Sequence, residues 1–75
     1  MIRAFDIVAL TEPIPSEGLE AGDTGTVVEI YNDGQGYDVE FFNALGDTVA
    51  VVTVFASQVR ALASSDMKHV RVLSA

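Results

Sequence analysis

The side chains able to do chemistry are few, and none sits in a convincing catalytic neighbourhood. His69, the chain's one histidine, lies among Lys68 and Arg71, whose charges repel a divalent cation, and no nearby carboxylate set completes a metal site. Ser64, Ser65, Asp66 and His69 carry the side-chain types of a hydrolytic triad. A short polar segment supplies neither a scaffold to align a proton relay nor an oxyanion hole, so it reads as a linker. Asn32-Asp33-Gly34 followed by Asp38 and Glu40 groups oxygen ligands near a glycine. The alternation before the glycine and the spacing to a downstream glutamate that define a calcium loop are missing, which leaves a turn. Gly34 and Gly36 are not followed by a helix, so they do not present amides to a dinucleotide phosphate. Cysteine is absent, which removes disulfides, thiolate metal ligands and cysteine nucleophiles. The expectation is a chain with no catalytic residue, no metal, no cofactor and no small-molecule ligand, and not an enzyme.

Glu29, Asp38 and Glu40 form the remaining constellation. On strands they fall on the outward faces of neighbouring segments, giving either an acidic interaction patch or a solvated sheet surface. Carboxylate repulsion there could raise a proton affinity, but no pocket for an acid catalyst is legible beside them. Four basic residues against eleven acidic ones give a net charge of −7, which repels a phosphate backbone, disfavours nucleic acid as ligand and favours a basic or neutral partner. The acids crowd the body. Residues 1–59 hold ten of them with Arg3, a balance of −9, whereas residues 60–75 hold Arg60, Lys68 and Arg71 against Asp66, a balance of +2. A tail of opposite sign can dock on its own body or a neighbour's.

The elements that position these groups read as strands. Phe5, Ile7, Val8 and Leu10 make a first apolar run closed by Thr11-Glu12-Pro13. Residues 12–23 contain two prolines and two glycines, so they form a long loop, with Ile14 and Leu19 folding back as lids. Gly22-Asp23-Thr24-Gly25 turns into the β-branched strand Thr26-Val27-Val28-Glu29-Ile30-Tyr31. Asn32-Asp33-Gly34-Gln35-Gly36 tolerates positive φ and reverses the chain into Tyr37-Asp38-Val39-Glu40-Phe41, whose period-two alternation points Tyr37, Val39 and Phe41 inward. After a further reversal over residues 43–47, residues 48–54 form another strand, whose two sides are both apolar. Val49, Val51, Thr53 and Phe55 are assigned to the core side, and Val52 and Val54 to an outward side that a loop, the tail or another chain must cover. A single 3₁₀ turn over residues 55–59 then leads into a closing strand over residues 60–62.

The expected architecture is all-β, a small five-stranded SH3-like barrel over residues 1–62 with a C-terminal extra strand or arm over residues 63–75. In that extension residues 68–73 alternate well enough to pair within the chain or to be donated to a neighbour. At 75 residues one small core is all the chain can build, and association with a second copy helps such domains. The longest apolar stretch is far short of a bilayer span and the N-terminus lacks a secretory layout, so the expected location is the cytoplasm, with no membrane contact.

Asp6-Ile-Val-Ala-Leu10, Gly22-Asp-Thr-Gly-Thr-Val-Val-Glu29, Tyr37-Asp-Val-Glu-Phe41 and Val52-Thr-Val-Phe-Ala-Ser-Gln-Val59, taken in order, resemble a small bacterial SH3-like barrel family of unknown function. The Gly-Asp-x-Gly-x-Val segment also resembles KOW-type domains of ribosomal and transcription proteins. The family resemblance implies a fold without a known enzymatic activity and brings no catalytic residues with it. Three readings of function follow. The first is a protein-binding or self-associating module, a homo-oligomer, with Val27, Tyr31, Phe42, Val52, Val54, Val70 and Val72 as interface candidates and Glu29, Asp38 and Glu40 as its acidic patch. The second is an antitoxin-like or immunity-like acidic protein that masks a basic partner. The third is a KOW-like ribosome- or nucleic-acid-associated domain.

Overall fold

A computed structural model describes residues 2–62. They form an all-β domain: β1 (Ile7–Leu10), β2 (Thr24–Tyr31), β3 (Gly36–Phe42), β4 (Thr48–Phe55) and β5 (Val59–Ala61), with short 3₁₀ turns at Pro15–Glu17 and Ala56–Gln58. The strands make one five-stranded sheet in the order β4-β3-β2-β1-β5, and every neighbouring pair is antiparallel. The tail over residues 63–75, with Val70, Val72 and the proposed sixth strand, lies outside the described residues. Among the described residues no helix is long and apolar enough to cross a membrane.

Local chemistry explains the turns. Asn32 and Asp33 sit at φ +49° and +58°, followed by Gly34 at φ +100°, the left-handed backbone that a hairpin of right-handed twist requires and that Asn, Asp and Gly tolerate best. The amides of Gly34 and Gln35 both donate to the Tyr31 carbonyl. At the next reversal the Asn43 side-chain oxygen accepts from the amides of Leu45 and Asp47 at 2.9 and 3.0 Å, closing the loop that delivers β4. The long β1–β2 loop folds back as the apolar lids predict: Ile14 and Leu19 pair in an isolated bridge and Leu19 is buried.

Val8, Leu10, Leu19, Val27, Tyr37, Val39, Phe41, Val54 and Val59 make the core, with Ile30, Val49 and Val52 among the half-buried residues packed on it. The expected sidedness of β4 is reversed here. Register pairs Tyr37 with Val54, Val39 with Val52 and Phe41 with Ala50. Directly opposed residues share a face of the sheet, so Val54 goes inward with Tyr37 while Val51, Thr53 and Phe55 point out. Val49 still reaches the core because the register shifts between Phe41 and Phe42, a bulge that turns it inward. A second bulge, between Val27 and Glu29, puts Val27 in the core while Glu29 and Tyr31 face away. Phe5, expected in the first strand, precedes it instead, at φ +70°, with its ring exposed.

Candidate functional site

The outer face of β2, β3 and β4 gathers most of the sequence-selected polar groups. Glu29 stands opposite Asp38, and Asp38 opposite Thr53, so these three form one row across three strands. The next row toward the hairpin is Tyr31, Gly36 and Phe55, and the row on the other side is Thr26, Glu40 and Val51.

Asp38 is the hub. Its Oδ2 accepts the Tyr31 hydroxyl at 2.6 Å and its Oδ1 accepts the Thr53 hydroxyl at 2.5 Å, so one carboxylate ties β2 to β4 across β3. Those two hydrogen bonds, from Thr53 first and Tyr31 second, hold the Asp38 carboxyl below its ordinary proton affinity. The same contact, with the negative charge it carries, raises the Tyr31 phenol above its usual value. Glu40 accepts from the Thr48 hydroxyl at 2.8 Å. Asp38 and Glu40 are thus each tied to a hydroxyl on a neighbouring strand, which orients their carboxylates on the outer face.

An open concavity of about 240 Å³ lies at the hairpin end of this face, lined by Tyr31, Asn32, Gln35, Gly36, Thr53 and Phe55 among others. Phe55 is 73% exposed at its rim. Beyond it the β4 strand forms one margin of the sheet, with Val51 55% exposed. Among the described residues no group of three or more His, Cys, Asp or Glu side chains is placed to hold a metal ion.

The apolar interface candidates divide. Tyr31 and Phe42 lie exposed on the outer face. Val27 and Val54 are corrected to core residues, at 0% and 2% exposure, because the bulge after Val27 and the β3–β4 register turn them inward. Val52 is half-buried against the core on the same inner side. Val51, Phe55 and Leu45 are exposed apolar residues that the sequence reading left out of its candidates. The signal for Val51 and Phe55 was present in the doubly apolar strand, but choosing the outward set required the register. Asp23 was also missed: its side chain is buried at 1% exposure and accepts from the Glu20 amide at 2.9 Å, pinning the return of the long loop.

The fold and this face define a small five-stranded all-β domain with a mixed acidic and aromatic outer surface. The chain belongs to the DUF4926 family, a domain of unknown function, which matches residues 4–61. Comparison with curated proteins and with solved structures gave no match.

Proposed function

We propose that this chain is a non-enzymatic, self-associating protein-binding module of SH3-like barrel type, whose contact surface is the β4 edge and the outer face beside it. Support for the barrel type comes from the strand order β4-β3-β2-β1-β5, the long loop between β1 and β2, and the 3₁₀ turn that precedes β5.

The observation that carries the binding reading is β4 itself. It is an eight-residue strand, TVAVVTVF, without a charge or a proline, at the end of the sheet that the described residues form, with Val51 and Phe55 exposed. Edge strands offer unpaired backbone groups to any extended chain, and proteins that avoid this place lysine, proline or charge on them. An edge left apolar suits strand addition, in which main-chain hydrogen bonds supply affinity and alternate side chains supply choice. Glu29, Asp38 and Glu40 on the adjoining face favour a partner segment with basic side chains over an acidic one.

Sedimentation equilibrium of the full chain tests this, comparing the native sequence with Val51→Lys, which puts a charge on the exposed edge. The native chain is expected to associate with a Kd of about 1 mM or tighter, and Val51→Lys to remove that association while its urea midpoint, measured at low protein concentration, falls by no more than about 0.5 M. A native chain that stays monomeric into the millimolar range, or association indifferent to Val51→Lys, overturns the reading.

A further inference from the structure

The row Tyr31, Gly36, Phe55 has a property that the rest of the outer face lacks. Its middle member has no side chain, and its outer members are aromatic and exposed, at 41% and 73%. The result is a slot whose floor is the Gly36 backbone and whose walls are two rings, coincident with the concavity of about 240 Å³. Strands lie about 4.8 Å apart, so two aromatic residues separated by one strand stand about 10 Å apart at their stems. A group seated over Gly36 therefore has an aromatic side chain rooted about 5 Å to either side of it, and a cation that meets the face of such a ring is attracted to it.

The charge environment selects the occupant. Asp38 stands just outside the lining of the concavity, two residues beyond Gly36 on the same face and about 7 Å along the strand, and its carboxylate is held ionised by the Tyr31 and Thr53 hydroxyls. Glu29 is directly opposite Asp38. Asn32 and Gln35 add amide groups at the rim. A flat, weakly hydrated cation that stacks on rings and donates several hydrogen bonds fits these features better than a compact ammonium does.

We propose that this slot is a binding site for an arginine side chain presented by a protein partner, with Tyr31 and Phe55 as walls, the Gly36 backbone as floor and Asp38 as counter-charge. The inference rests on the protein-binding reading above and names the side chain that the bound segment brings.

The probe is N-acetyl-arginine amide titrated into the isotopically labelled full chain at low salt, with N-acetyl-citrulline amide as the neutral analogue of the same shape. Saturable shifts are expected at the Gly36 amide and at the Tyr31 and Phe55 rings, with a Kd of about 10 mM for so small a ligand. Asp38→Asn and Phe55→Ala, both outer-face changes, are each expected to weaken binding at least about fivefold while the remaining spectrum stays native. The citrulline probe should give no saturable shift. Equal binding of the two probes, or shifts centred away from Gly36, overturns the site. So does an unliganded Arg71→Gln chain whose Gly36 and Phe55 signals already differ from native, because the chain's own arginine then holds the slot. Failure of the arginine titration with Val51→Lys still abolishing self-association removes the slot alone, whereas loss of both removes the protein-binding reading as well.

Discussion

The two sides of β4 should respond very differently to removal of the same atoms, and Val54→Ala against Val51→Ala makes the comparison. Each change deletes two carbon atoms from a valine on the same strand, so the loss of intrinsic strand preference is shared. Val54 is 2% exposed in the core and Val51 is 55% exposed on the outer face. Two buried carbons are worth about 1.6 kcal/mol of transfer free energy. A residual cavity of roughly 40 Å³ adds about 1 kcal/mol, giving a loss of about 2 to 3 kcal/mol for Val54→Ala. Val51→Ala forfeits less than half of the transfer contribution and leaves no cavity, so about 0.5 kcal/mol is expected. The assay is urea unfolding followed by circular dichroism, at protein concentrations low enough that association does not add to stability. With a slope of about 1 kcal/mol per molar urea for a chain of this size, the Val54→Ala midpoint should fall about 2 M or more and the Val51→Ala midpoint about 0.5 M. Similar midpoints for the two variants, or the larger loss at Val51, would refute the β3–β4 register and with it the outward assignment of Val51 and Phe55.

Three further outcomes follow from the same geometry. Gly25→Ala should destabilise by about 2 to 3 kcal/mol in the same unfolding assay, because an added Cβ would stand 2.5 Å from Val39 Cγ1 and 2.8 Å from the Glu40 carbonyl. A midpoint unchanged from native would contradict that close approach of β2 to β3. Asp23→Ala should cost about 1 to 3 kcal/mol, since it removes a side chain that is itself buried and that accepts from the Glu20 amide, and thermal melts of Asp23→Ala and native chain decide it. The Tyr31–Asp38 contact sets a pH window. Asp38 has its folded proton affinity lowered, so its contribution to stability is present above the unfolded aspartate value and is lost as pH falls through the folded one. Tyr31 has its value raised, so its contribution is present below the unfolded tyrosine value and is lost as pH rises through the folded one. Asp38→Asn should bring the Tyr31 titration back toward the ordinary phenol range, as read from its ring resonances. A Tyr31 titration unmoved by that substitution would break the pairing.

Much of this fold was legible in the residues, and the limits of that reading have physical causes. Tyr37, Val39 and Phe41 could be assigned inward because Asp38 and Glu40 alternate with them, and all three are buried. Asn32-Asp33-Gly34 announced its turn because few other residues tolerate positive φ. β4 carried no such information, since both of its period-two sets are apolar, and which set faces the core is settled by the Asn43 loop and by the bulge beside Phe42. The bulge between Val27 and Glu29 likewise breaks a strict alternation that periodicity alone extends unchanged. The outward Glu29, Asp38 and Glu40 could be placed on neighbouring strands from their spacing. The slot above Gly36 could not, because it exists only once Tyr31 and Phe55 are brought to the same row from opposite sides of β3.

The most direct test of the account is a concentration series of amide spectra of the full chain, from tens of micromolar to about 1 mM. The contact surface proposed here predicts shifts or broadening concentrated at Thr48–Phe55 and at Tyr31, Gly36 and Asp38, with the core amides of β1 and β5 unchanged. Spectra that do not change with concentration, or changes centred on the β1–β2 loop, would contradict it.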